Sequence, residues 1–100
     1  MDFKIVWSPI ARLDLKDIVT FIAEDDPVIA EKFGLKLFDY AERASQFPNS
    51  GRSVPEFHNE KLREFIFHSY RIIYRIKEET KTIEITRIWH AAQGTPKFSL

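Results

Sequence analysis

The sequence predicts an α+β fold: an N-terminal strand, a two-helix antiparallel hairpin, then a mainly antiparallel sheet ending in a β-hairpin. Three observations carry that prediction. Phe3, Ile5 and Trp7 alternate with Lys4, Val6 and Ser8 at the two-residue period of a strand with one buried face. Ser8-Pro9 and Asp26-Pro27 each open a stretch of apolar residues spaced three and four apart. Beyond Gly51 the chain turns to β-branched and aromatic runs, Tyr70 to Lys77 and Thr82 to His90.

In the first helix the Ser8 oxygen can accept from an early N–H, and Pro9 lacks only a donor that has no helical partner there. Ile10, Leu13, Ile18, Phe21 and Ile22 read as its buried stripe, with Arg12, Asp14, Lys16 and Asp17 outside it, and it ends near Ala23 and Glu24. Asp26 caps the second helix, whose stripe is Ala30, Phe33, Leu37, Ala41 and Ala44, widened by Phe38 and Tyr40. So short a link makes the pair an antiparallel hairpin. Phe47-Pro48-Asn49-Ser50-Gly51 closes it as a turn cluster. A strand from Arg63 to His68 follows, and the residues from Gln93 onward read as a loop or tail. Phe38, Tyr40, Phe65 and Phe67 are expected in the core, while Val28, Ile29, Leu35 and Ile73 are expected on the surface, open to a partner.

The last two strands join through a loop of about four residues. Placing Lys77 opposite Thr82 pairs Ile76 with Ile83, Tyr74 with Ile85 and Tyr70 with Trp89, an apolar face that must meet the helices. The other parity sets Arg71, Ile73, Arg75 and Lys77 opposite Ile88, Thr86, Glu84 and Thr82, with His90 beside Ser69. Arg71, Arg75 and His90 are thereby expected together on the outer face, because a slip of one residue would bury charge.

At 100 residues, with 44% hydrophobic and 14% aromatic side chains, the chain suits one domain spanning 1–100 with a core of its own. A formal net charge of zero excludes a polybasic coat for nonspecific nucleic-acid binding. That zero is a sum of unequal halves. Pro9 to Phe47 carries five basic and eight acidic residues, and Pro48 to Leu100 nine basic and six acidic, so an anion site belongs to the second half. Without cysteine there is no disulfide framework, thiolate nucleophile or cysteine-bound zinc, which fits a cytoplasmic protein. No segment reaches the roughly 20 apolar residues of a membrane span, and the opening Met-Asp-Phe-Lys is not a secretory signal.

Few side chains are left to carry chemistry. Arg75 faces Glu84 as a surface pair, whereas Arg71 has no acid directly opposite and could hold a phosphate in two bonds. His90 ends the last strand, where it could deliver a proton. Glu56, after Pro55, could act as a base if its loop folds over the outer face. His58 and His68 lack metal-site spacing, and Gly34, Gly51 and Gly94 make no phosphate loop, so no metal or cofactor is expected.

Taken in order, Ser8-Pro9, Gly51-Arg52-Ser53-Val54-Pro55-Glu56, Leu62-Arg63-Glu64, Tyr70-Arg71-Ile72-Ile73-Tyr74-Arg75-Ile76 and Arg87-Ile88-Trp89-His90 resemble the RelE/ParE superfamily of toxins from bacterial type II toxin–antitoxin systems. The resemblance spans nearly the whole chain. It implies a toxin neutralised by a cognate antitoxin that wraps its functional surface. RelE-like members cut messenger RNA on the ribosome, and ParE-like members poison DNA gyrase. If RelE-like, the chain would use Glu56 as base, Arg71 as phosphate ligand and His90 as acid, without a metal. Arg52, Arg63, Arg75 and Arg87 are further expected contacts to a target or phosphate. Ala91 stands where such nucleases often carry an aromatic ring that stacks on a base, and the near-neutral charge is unlike that of strongly basic ribosome-binding members, so the resemblance leans to the ParE-like branch. A degenerate domain that keeps only antitoxin binding is a third reading.

Overall fold

The computed structural model describes residues 2–97, so the end of the expected tail lies outside the described residues. Strand β1 (Lys4–Trp7) leads through helices α1 (Pro9–Ala23) and α2 (Pro27–Ala41), the latter prolonged by a 3₁₀ turn, Glu42–Ser45. Strands β2 (Arg52–Ser53), β3 (Leu62–Phe67), β4 (Tyr70–Lys77) and β5 (Thr82–His90) follow, in a five-stranded sheet of order β1-β5-β4-β3-β2. Only β1 runs parallel, beside β5.

The helix starts form as their sequences dictate. The Ser8 hydroxyl accepts from the Ala11 N–H at 3.1 Å, and one Asp26 carboxylate oxygen accepts from Val28 and Ile29 at 3.0 and 3.1 Å. The α2 stripe is as expected, with Ala30, Leu37, Ala41 and Ala44 buried and Phe33 packed against them. On α1 the buried stripe is instead Ala11, Leu15, Ile18 and Ile22, while Ile10, Leu13 and Phe21 face solvent. Small side chains set this arrangement, since Ala11 lets α1 approach the sheet and Gly34 lets α2 approach Val19 of α1. A Cβ at Gly34 would sit 2.8 Å from the Val19 methyl. Phe38 is 41% exposed and stacks on Trp7, so it borders the core rather than filling it.

Between β4 and β5 the expected pairs hold from Lys77 opposite Thr82 to Tyr74 opposite Ile85. A bulge then moves the register by one, giving Ile73 opposite Arg87, Ile72 opposite Ile88, Arg71 opposite Trp89 and Tyr70 opposite His90. Thr86 is the added residue, and its buried hydroxyl donates to the Ile73 carbonyl at 3.1 Å. The outer-face grouping of Arg71 with His90 is therefore corrected. Cross-strand partners share a face, so Ile88 and His90 turn toward the helices and Trp89 turns outward. The slip buries no unpaired charge, because Arg87 reaches Asp14 of α1 at the open edge of β5 beyond β1.

Ile73 is also corrected: it is fully buried, in a second cluster with Val54, Leu62 and Trp89. The segment after Gly51 folds over this face, so β4 is covered on both sides. Gly51 permits the approach, since a Cβ there would lie 2.5 Å from the Tyr74 hydroxyl and 2.8 Å from the Glu64 carbonyl oxygen.

Candidate functional site

The site lies on the outer face, where β2, β3, β4 and the loop after β2 converge. Val54-Pro55-Glu56-Phe57 is a β-turn closed by the Phe57 N–H donating to the Val54 carbonyl at 3.1 Å, with proline at its second position. Buried Val54 anchors that turn, which delivers Glu56 onto Arg71. Glu56 accepts from both terminal nitrogens of Arg71, at 2.6 and 2.8 Å, in an end-on bidentate pair.

Arg71 also donates from Nε to Glu64 at 2.6 Å, and Arg52 donates from its own Nε to the other Glu64 oxygen at 2.7 Å. Glu64 is 1% exposed, and two guanidinium groups offset its burial. Two acids and two arginines thus balance. The Arg71 hydrogen bonds pull the Glu56 carboxyl below its ordinary value, and the same pair raises the Arg71 guanidinium, so both stay charged across the neutral range. The expectation that Arg71 offers an open fork is corrected: no acid faces it across β5, but Glu64 from β3 and Glu56 from the loop both occupy it.

His90 lies apart from Glu56 and Arg71, on the helix-covered side. Its ring stands edge-on to Tyr70 at 5.1 Å, and its Nδ1 accepts from the Ala92 N–H at 3.1 Å, which leaves the proton of the neutral ring on Nε2. It lines a cleft of about 560 Å³ with Asp14, Asp17, Phe21, Tyr70 and Arg87. Tyr70 is held protonated more firmly than a solvated phenol by burial.

The other arginines divide among separate partners. Arg63 donates to the Gly51 carbonyl at 2.9 Å, Arg75 meets Glu84 at 3.7 Å, and Arg87 binds Asp14 at 2.9 Å and lies over the Trp89 ring. The Arg75 pair is the one the sequence placed. Glu64 and Asp14 were missed, although an acid on a strand face between Leu62 and Ile66 signals a partner waiting there. Asp14 also accepts from the Ile88 N–H at 2.9 Å, which satisfies the unpaired edge of β5. Among the described residues no cluster of histidines and acids could hold a metal ion, and no helix is long and apolar enough to cross a membrane.

The five-stranded, mostly antiparallel sheet with a helical hairpin on one face is a fold shared with solved toxin–antitoxin proteins. A chain of the chromosomal ParDE toxin–antitoxin system from P. aeruginosa shares it with a TM-score of 0.72 at 22% identity, covering 88% of this chain and 95% of that one. A chain of the RelBE2 toxin–antitoxin complex from Mycobacterium tuberculosis gives 0.65 at 22% identity, covering 90% and 92%. In sequence, Toxin RelE1 of Caulobacter vibrioides is 29% identical over 93 residues, covering 93% of this chain and 98% of the relative. Residues 5–94 match the family described as ParE toxin of the type II toxin–antitoxin system parDE, and the chain belongs to that family. It is a type II toxin of the RelE/ParE superfamily.

Proposed function

We propose that this toxin is held inactive by a cognate antitoxin in the cytoplasm and, once released, inhibits DNA gyrase. The observation that carries the gyrase reading is the separation of Arg71 from His90. RNA cleavage by the Glu56, Arg71 and His90 scheme needs base, anion ligand and acid around one phosphate. Here both terminal nitrogens of Arg71 are bound to Glu56, and His90 projects from the opposite face. Ala91 provides no ring to stack on a base. Of the four further arginines, Arg52 is the one with a side chain mostly open to solvent, at 58%, and is the proposed target contact.

Antitoxin pairing is supported by the family and by the exposed apolar side chains Val28, Ile29 and Leu35 along α2. An amphipathic helix laid on the helical hairpin fits that surface.

A second reading, a ribosome-dependent endoribonuclease, is favoured by the contact of Glu56 with Arg71 and by the similarity to Toxin RelE1. One experiment separates the two. Purified toxin is incubated with gyrase on supercoiled DNA and, separately, with translating ribosomes on a defined messenger. Accumulated cleaved DNA–gyrase complexes support the proposal. Messenger cut only in the presence of ribosomes replaces it with the second reading, and no effect in either arm leaves an antitoxin-binding module.

A further inference from the structure

The two acids on Arg71 are held very differently. Glu64 lies on β3, is 1% exposed, and is fixed from its far side by Arg52. Glu56 sits at the third position of a surface turn, and its side chain is 29% exposed. Glu64 takes the Nε edge of the guanidinium and so aims it, while Glu56 takes the outward edge carrying the two terminal nitrogens. Removing Glu56 would leave that edge still oriented by Glu64. A fork fixed in advance binds without the entropy cost of ordering itself.

We propose that the terminal-nitrogen edge of Arg71 is a seat for an acidic side chain of a binding partner, and that Glu56 closes the seat in the isolated toxin as a built-in competitor. The present occupant defines the ligand class. It is a planar carboxylate bound end-on through two oxygens, and a partner carboxylate replaces it atom for atom. A dianionic phosphate monoester is disfavoured, because Glu64 already brings a negative charge to the same guanidinium at 2.6 Å. Ile66, directly opposite Arg71 on β3 and 48% exposed, gives an apolar ledge beside the seat. The fitting partner is thus a segment with an acidic residue next to an apolar one.

A competitor of this kind lowers apparent affinity by the fraction of time the seat is open. The test is a titration of wild-type toxin and Glu56→Ala with N-acetylglutamate amide, followed by the Arg71 Nε–H signal in ¹H–¹⁵N spectra. The variant is expected to bind about tenfold or more tightly than wild type. Dimethyl phosphate, a phosphodiester of equal charge, is expected to bind the variant more weakly than the carboxylate probe. Equal carboxylate affinity in the two proteins overturns the competitor role, and tighter binding of dimethyl phosphate overturns the carboxylate assignment in favour of nucleic-acid phosphate. If Glu56→Ala loosens the turn, seen as collapsed dispersion of the Val54 and Phe57 amides, Glu56→Gln carries the same comparison with the turn's side-chain shape kept. Neither gyrase nor ribosome enters the titration, so its outcome is separate from that of the target assay.

Discussion

The two faces of the sheet are held by different physics. Toward the helices, Ile72, Tyr74, Ile76, Ile83, Ile85 and Ile88 pack under Ala11, Ile18, Leu37 and Ala41. On the outer face a small apolar cluster around Ile73 and Trp89 borders the network of Glu56, Glu64, Arg52 and Arg71. Apolar contacts are non-directional and degrade in proportion to the atoms removed. An ion network fails when a buried member is lost, because the partner left behind is a stranded charge, whereas the partly exposed Glu56 can leave with Arg71 still paired to Glu64. The helix side is therefore scaffold, and the outer side is where one substitution changes chemistry.

The sharpest way to break this contrast is Arg71→Ala, which leaves Glu64 with Arg52 alone. It should cost about 3–5 kcal/mol in urea unfolding. Leu37→Ala, with no exposure to solvent and no charge involved, should cost about 3 kcal/mol by cavity formation. Tyr74 joins the two regimes, with its ring in the core and its hydroxyl donating to the Pro48 carbonyl at 2.6 Å and accepting from the Gly51 N–H at 3.0 Å. Tyr74→Phe keeps the ring but strands both backbone groups, and should cost about 1–2 kcal/mol. Glu84→Gln, on the loose contacts to Arg75 and Lys77 at 3.7 and 3.8 Å, should change stability by less than about 0.5 kcal/mol.

Acidity probes the same contrast. The folded-state Glu56 carboxyl lies below its ordinary value, so its contribution is present above the unfolded carboxylate range and is lost as pH falls through the folded value. Tyr74 moves the other way: burial raises its phenol above 10.0, so its contribution is whole below that pH and is lost as pH rises past the folded value. Thermal melts across pH should show Glu56→Gln flattening the acid limb without touching the alkaline one.

Local signals made the helices legible. Ser8-Pro9 and Asp26-Pro27 each act within a single turn, and the caps form where those pairs stand. The final hairpin was legible through its first four pairs for the same reason. Its bulge was not, because one added residue leaves no composition signal. The phase jump is nonetheless written in Ile83, Ile85 and Ile88, spaced two and then three apart, and reading it puts His90 on the helix side. The fold of the Val54–Phe57 turn over β4 is a long-range event. Only the acid parity of Glu64 hinted that Arg71 would be occupied. On α1, large residues drew the stripe toward Leu13 and Phe21, whereas the close approach is set by Ala11.

Everything proposed about the target turns on that bulge, and nuclear Overhauser contacts from the His90 ring test it most directly. Contacts to the Tyr70 ring, with none to Arg71 or Glu56, are the predicted result. Contacts from His90 to the Arg71 or Glu56 side chains would contradict it and would reassemble the three residues on one face.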